Sequence, residues 1–170
     1  MDYLEIMKTY TGYYQSLISI GKFPIKKTAL GLWGVADLDL TYIALKEILS
    51  QGGTFLDLGS GDGKICNVAK IFCENVVGVE IDDELIDLSR QMSHPDIQFF
   101  KDDFYNIDIS KFDYIFINPD KYFDERMQNK LTNELNGKLI VYSCMYFPTF
   151  LKKEREWDHG VIKIREYSKD

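Results

Sequence analysis

The spacing of apolar positions changes near residue 54. Upstream, Met7, Tyr10, Tyr14, Leu17 and Ile18 recur at three- and four-residue intervals, which predicts an amphipathic helix over residues 2–20. A second helical stripe, with Leu38, Ile43, Leu45 and Ile48, runs from about Asp37 to Leu49 and stops before Gly52-Gly53. Between them, Gly21 to Gly34 (GKFPIKKTALGLWG) has no clear period and is broken by Pro24, so it reads as a loop or hinge. From Thr54 onward, short apolar runs alternate with helical stretches. The strands are Thr54–Leu58, Asn75–Glu80, Ile97–Phe100, Tyr114–Ile117 and Lys138–Ser143; the helices are Lys64–Phe72, Asp83–Met92 and Asp124–Leu135. The tail from Glu154 to Tyr167 supplies two more strands, read as an antiparallel edge pair.

Strands that are apolar on both faces belong to parallel sheets covered by helices on each side. The predicted fold class is therefore α/β: a doubly wound, mostly parallel sheet with a helical N-terminal extension and an antiparallel C-terminal edge. Residues 1–170 read as a single domain, with 1–50 as a helical extension or cap and 51–170 as the core.

Charge narrows the choice of partner. The formal net charge is -7, so the overall field repels phosphates and attracts cations. Cys66 and Cys73 lie seven residues apart on one predicted helix, which suits core packing better than zinc or a disulfide. His94 and His159 have no ligand-spaced partners and read as surface or loop residues, so no metal site is expected. The first twenty residues carry Asp2, Glu5 and Lys8 and lack a cleavage-like site, and no uncharged run is long enough to span a bilayer. A cytoplasmic protein with no membrane partner is the expectation; the sequence sets no oligomeric state.

The chemistry concentrates after the strands. Phe55-Leu56-Asp57-Leu58-Gly59-Ser60-Gly61-Asp62-Gly63-Lys64 takes a strand through a glycine turn into a helix. Its G-x-G-x-G spacing differs from the dinucleotide fingerprint, and Asp57 and Asp62 would repel a pyrophosphate while favouring an ammonium or a sulfonium. Glu80, ending the next strand 23 residues after Asp57, stands where a carboxylate accepts hydrogen bonds from a ribose diol. After the third strand, Asp103 beside Phe104 offers an acceptor and a ring to an adenine; the same residues equally suit a polar loop with a helix cap.

These three elements, in this order, resemble the class I S-adenosylmethionine-dependent methyltransferases, with their Rossmann-like core, over roughly residues 54 to 143. The resemblance implies S-adenosylmethionine as cofactor, with Asp57, Gly59 and Gly61 around its methionine part, Glu80 on the ribose, and Asp103 and Phe104 at the adenine. Ser60, Ile81 and Asn118 complete the candidate cofactor set.

The fourth strand ends Ile117-Asn118-Pro119-Asp120-Lys121-Tyr122. This looks like a degenerate Asn-Pro-Pro-aromatic motif of enzymes that methylate planar nitrogens of adenine or glutamine. Asp120 replaces the second proline, and Tyr122 comes one residue late. A second resemblance is to small archaeal and mitochondrial protein-lysine methyltransferases. It rests on DLGSGDGK, GVEID, the run Lys130-Leu131-x-x-Glu134-Leu135-x-x-Lys138, and Cys144 to Pro148 after the fifth strand. Together these imply a nitrogen methyltransferase whose preferred substrate is protein lysine. RNA, a DNA base or a glutamine amide remains the alternative, and a catalytically inactive partner protein that only binds the cofactor a third reading. Candidate catalytic residues are Asn118, Asp120 and Tyr122, with Tyr146 and Trp33 at the entrance, where plain packing explains the last two equally well.

Overall fold

The computed structural model describes residues 1–169. Nine strands and five helices follow in chain order: α1 (Tyr3–Ser19), β1 (Ile25–Lys27), β2 (Leu32–Gly34), α2 (Leu38–Ile48), β3 (Thr54–Leu58), α3 (Lys64–Lys70), β4 (Asn75–Glu80), α4 (Asp83–Met92), β5 (Gln98–Lys101), β6 (Tyr114–Ile117), α5 (Glu125–Glu134), β7 (Lys138–Ser143), β8 (Lys152–His159) and β9 (Ile162–Ser168). The main sheet has the order β5-β4-β3-β6-β7-β9-β8. Its first five strands are parallel; β9 runs antiparallel to β7, and β8 to β9. The order reverses between β3 and β6, and a crevice opens at the carboxyl ends of strands at such a switch point.

Strand alternation divides the core between the two faces. Phe55, Phe116, Ile140 and Tyr142 pack with Ala44 and Leu45 of α2 and Val68 of α3. Leu56, Leu58, Ile115, Leu139 and Val141 pack with Met127 and Leu131 of α5. The expected α/β class, mostly parallel sheet and antiparallel edge are all present, and β3, β4, β6 and β7 begin and end where the apolar runs do.

Two sequence readings are corrected. Gly21 to Gly34 is not irregular: β1 and β2 form an antiparallel hairpin, with Ile25 opposite Gly34 and Lys27 opposite Leu32. Strands of three residues are too short to display a period of two, and Lys26-Lys27 interrupts the apolar pattern. In α1 the buried positions are Ile6 and Tyr10, whereas Met7 and Ile18 are exposed. The helix packs against α3, with Tyr14 against the core, and its last residues, Ile18 and Ser19, are exposed. Its start is capped by Asp2, which accepts from the Glu5 N–H while Glu5 accepts from the Asp2 N–H.

The extension is joined to the glycine turn by polar contacts. Tyr10 Oη donates to the Asp62 carbonyl at 3.0 Å and accepts from Asn67 Nδ2 at 2.9 Å. Tyr14 Oη donates to Asp62 Oδ2 at 2.5 Å. Tyr10→Phe takes the donor from the Asp62 carbonyl, while Asn67 keeps Gly63 and Ser93 as acceptors. It is expected to destabilise the protein by about 1–3 kcal/mol, read as a lowered urea midpoint at unchanged slope.

Candidate active-site cleft

A cleft of about 320 Å³ opens at the switch point, within the size range of small-molecule sites. Its floor is the glycine turn after β3 and the ends of β4 and β6. One wall is Asp102 to Tyr105 after β5, the other Asn118 to Met127 from β6 into α5, and the β1–β2 hairpin forms the roof.

The turn is held by its own backbone. The N–H groups of Gly59 and Ser60 both donate to the Val79 carbonyl at 2.9 Å, and that of Gly63 to the Ser60 carbonyl at 2.9 Å. Gly61 N–H donates to Glu80 Oε2 at 2.9 Å. The other carboxylate oxygen, Oε1, accepts from Ile81 N–H at 2.8 Å and Asp82 N–H at 2.9 Å. Every one of these donors is spent, so the turn offers no nest of free N–H groups to a phosphate. Gly61 has φ +54, and a Cβ there would overlap the Trp33 indole nitrogen, so the ring covers the turn closely.

The acids on the floor are buried. Burial pushes the Asp57 carboxyl up to about 8, opposed by a weak Cys66 Sγ–H donor at 3.6 Å and reinforced by Glu80 and Asp62. Burial likewise raises Asp62 and lowers Lys64, the latter to about 8. Lys64 reaches the cleft from the first turn of α3; its Nζ donates to the Ala36 carbonyl and lies 5.1 Å from the centre of the Tyr14 ring. The sequence reading missed Lys64. A lysine directly after a glycine turn was its only signal.

The other candidates are placed as follows. Asp57, Gly59, Ser60, Glu80, Ile81, Asp103, Phe104, Asn118, Asp120 and Tyr122 all line the cleft, as does Trp33. Gly61 lies under the Trp33 ring. Ser60 Oγ is buried without a partner and turned toward Gly78, where a Cβ would stand 2.8 Å from it. Asp103 caps the short turn Phe104–Asn106, with Oδ1 accepting from Tyr105 N–H at 3.0 Å. Asp120 Oδ2 accepts from Leu32 N–H at 2.7 Å, and a Cβ on Gly31 would overlap the same oxygen. Tyr122, on the rim of the cleft, is 77% exposed and meets Tyr146 edge-on at 4.9 Å.

Residues 56–124 match the family described as a methyltransferase domain. The sheet order, the glycine turn and this match agree. This chain has the fold of the class I methyltransferases. Among solved structures, an RNA methyltransferase from Salinibacter ruber bound to S-adenosylhomocysteine superposes with a TM-score of 0.63 at 19% identity, covering 78% of this chain and 92% of that one. A TehB-like S-adenosylmethionine-dependent methyltransferase from Corynebacterium glutamicum gives 0.62 at 17% identity, covering 96% and 97%. By sequence, the ribosomal protein L11 methyltransferase of Aquifex aeolicus is 27% identical over 127 residues, 72% of this chain and 51% of that protein. A lysine N-methyltransferase of Xenopus laevis, named for an ATP synthase subunit, is 27% identical over 129 residues, 72% and 57%. The chain thus spans about half the length of these curated relatives.

The hairpin roof is tied down at two places, by Leu32 N–H on Asp120 and by Lys26 Nζ on Asp82 at 2.6 Å and Glu84 at 2.8 Å. Asp120→Ala removes the first tie. Hydrogen exchange at the Leu32 amide is expected to quicken by about ten- to hundredfold, the worth of one charge-assisted bond. Unchanged exchange would mean that Asp120 does not latch the roof.

Proposed function

We propose that the chain transfers a methyl group from S-adenosylmethionine to the amine of a protein lysine. The observation that carries this is the charge of the cleft. Asp57, Asp62, Glu80, Asp102, Asp103, Asp120 and Asp124 line or face it, against Lys64, Lys121 and Arg126. Such a surface concentrates cations and repels phosphate backbones.

The residues present fit the cofactor. Gly59, at φ +80, has open space where a Cβ would be, so a ligand can lie directly on its backbone. Asp57 and Asp62 suit the ammonium and the sulfonium, and Lys64, held in place by Ala36 and Tyr14, suits the methionine carboxylate. Glu80, with three amides already on its carboxylate, keeps acceptor capacity on Oε2 for a ribose hydroxyl. Phe104, Ile81 and Met127 supply apolar surface for the base.

When bound, S-adenosylmethionine supplies an electrophilic methyl on a positive sulfur. The chain's own part is to position and to desolvate. A lysine must shed its proton before it attacks, which costs about 4–5 kcal/mol at pH 7 for an unperturbed amine. Asp120 and Asn118 stand at the cleft to orient that amine, while Trp33 and the hairpin exclude water. The two relatives by sequence carry names that specify protein substrates, ribosomal protein L11 and a component of ATP synthase, the second of them as a lysine N-methyltransferase.

The alternative is a planar nitrogen, in RNA, in a DNA base or in a glutamine amide, and Asn118 at the end of β6 favours it. Against it, Tyr122 meets Tyr146 edge-on at the exposed rim of the cleft.

Single-turnover transfer at saturating cofactor across about pH 6.5–9.5 separates the two. Saturation matters because Asp57, raised to about 8, is largely protonated at neutral pH. A cationic cofactor favours its ionised form, so affinity itself rises with pH up to that value. With binding saturated, a lysine target is expected to speed up by about tenfold per pH unit below its pKa, and Asn118→Ala to slow transfer only modestly. A flat profile together with an inactive Asn118→Ala enzyme would overturn the lysine reading in favour of the planar nitrogen.

A further inference from the structure

The hairpin has two chemically different faces. Lys26 and Trp33, paired across the strands, point inward to Asp82 and to Gly61. Ile25, Lys27 and Leu32 lie on the opposite, exposed face. The chain on either side of β1 exposes further apolar side chains. Phe23 is 74% exposed and Ile20 66%, and Ile18 and Leu30 are each more than half exposed. Six large apolar side chains thus stand in solvent within fifteen residues of chain, where scattered single exposures would be ordinary.

The charge around them is also unusual for this molecule. No acidic residue occurs between Glu5 and Asp37, while Lys8, Lys22, Lys26 and Lys27 do, in a protein of net charge -7. Lys26 is paired, but Lys22 and Lys27 are exposed on the apolar surface. The surface runs directly into the mouth of the cleft, because Thr28, Leu30, Gly31 and Leu32 line that mouth.

We propose that this outer hairpin face docks the protein substrate, gripping an apolar stretch with flanking carboxylates next to the target lysine. The inference rests on the lysine reading and adds the chemistry of the flanks. The acidic cleft takes the cationic side chain, and the basic, apolar hairpin beside it takes residues of the opposite character. One substrate segment therefore meets two fields of opposite sign, which fixes its direction as well as its position. An anionic membrane is the less favoured occupant, because the two exposed lysines, Lys22 and Lys27, fall short of the cluster of about four to eight basic residues that recognises anionic lipid.

The test uses two peptides of equal length, each with one central lysine. In one, the lysine is followed by Leu-Phe-Glu-Ile-Asp; in the other, those positions hold serine and arginine. The enzymes are the wild type and a Phe23→Ser, Ile25→Thr, Lys27→Glu triple variant, whose changed residues lie outside the cleft. The wild type is expected to favour the first peptide by about tenfold in kcat/KM, through KM. The variant is expected to lose that preference while binding S-adenosylhomocysteine as before. Lys27→Glu alone is expected to weaken use of the acidic flank and strengthen use of the basic one. Methylation of both peptides with no preference in the wild type, or an undiminished preference in the variant, would overturn the docking face and leave the lysine reading standing. Methylation of neither peptide would remove both. Binding of the wild type but not the variant to phosphatidylserine vesicles, with no peptide preference, would assign the face to membrane and also overturn the proposal.

Discussion

The Glu80 carboxylate is the point on which the rest of the cleft depends. It ends β4, yet it accepts from Gly61 in the turn after β3 as well as from Ile81 and Asp82 in its own loop. Three N–H donors on one buried carboxylate replace the hydration it loses on burial. In doing so they fasten two separate strand ends together. Once that junction is made, the remaining donors of the turn close on Val79 and Ser60, and the turn presents carbonyls, acids and bare glycine backbone to the cleft. A loop built this way is a poor cradle for phosphate and a good one for a cationic amino acid.

The N-terminal extension acts on the same junction from the other side. Tyr10 and Tyr14 hold Asp62, and Asp62 in turn stands beside Lys64 within a mostly buried group of ionisable side chains. The hairpin then lies over Gly61 through Trp33 and is tied at Asp120 and Asp82. Residues upstream of the stretch 56–124 that matches the methyltransferase family thus complete the site.

How far the sequence revealed this differs from element to element. Thr54–Leu58 and Tyr114–Ile117 were legible to the residue, because an apolar run bounded by glycine or polar residues has no other good conformation in a covered sheet. Asp57, Glu80 and Asp103 were legible as acids at or just beyond strand ends, since the switch-point topology places such positions together. The hairpin was not, because strands of three residues carry no period. Nor was the contact of Asp120 with Leu32, which joins positions 88 residues apart, or the burial of Lys64, since a charged residue in sequence gives no sign of enclosure. The apolar face of α1 was misjudged for a related reason: periodicity gives a stripe, but only packing decides how much of the stripe is covered.

The central claim is that one carboxylate both builds the turn and receives the nucleoside. Glu80→Gln tests it most directly, because an amide has the same shape but one acceptor oxygen in place of two and no charge. Calorimetric titration with S-adenosylhomocysteine, on protein whose folding is confirmed by thermal unfolding, is expected to show an affinity about ten- to hundredfold below that of the wild type. A folded Glu80→Gln protein that binds as tightly as the wild type would contradict the account.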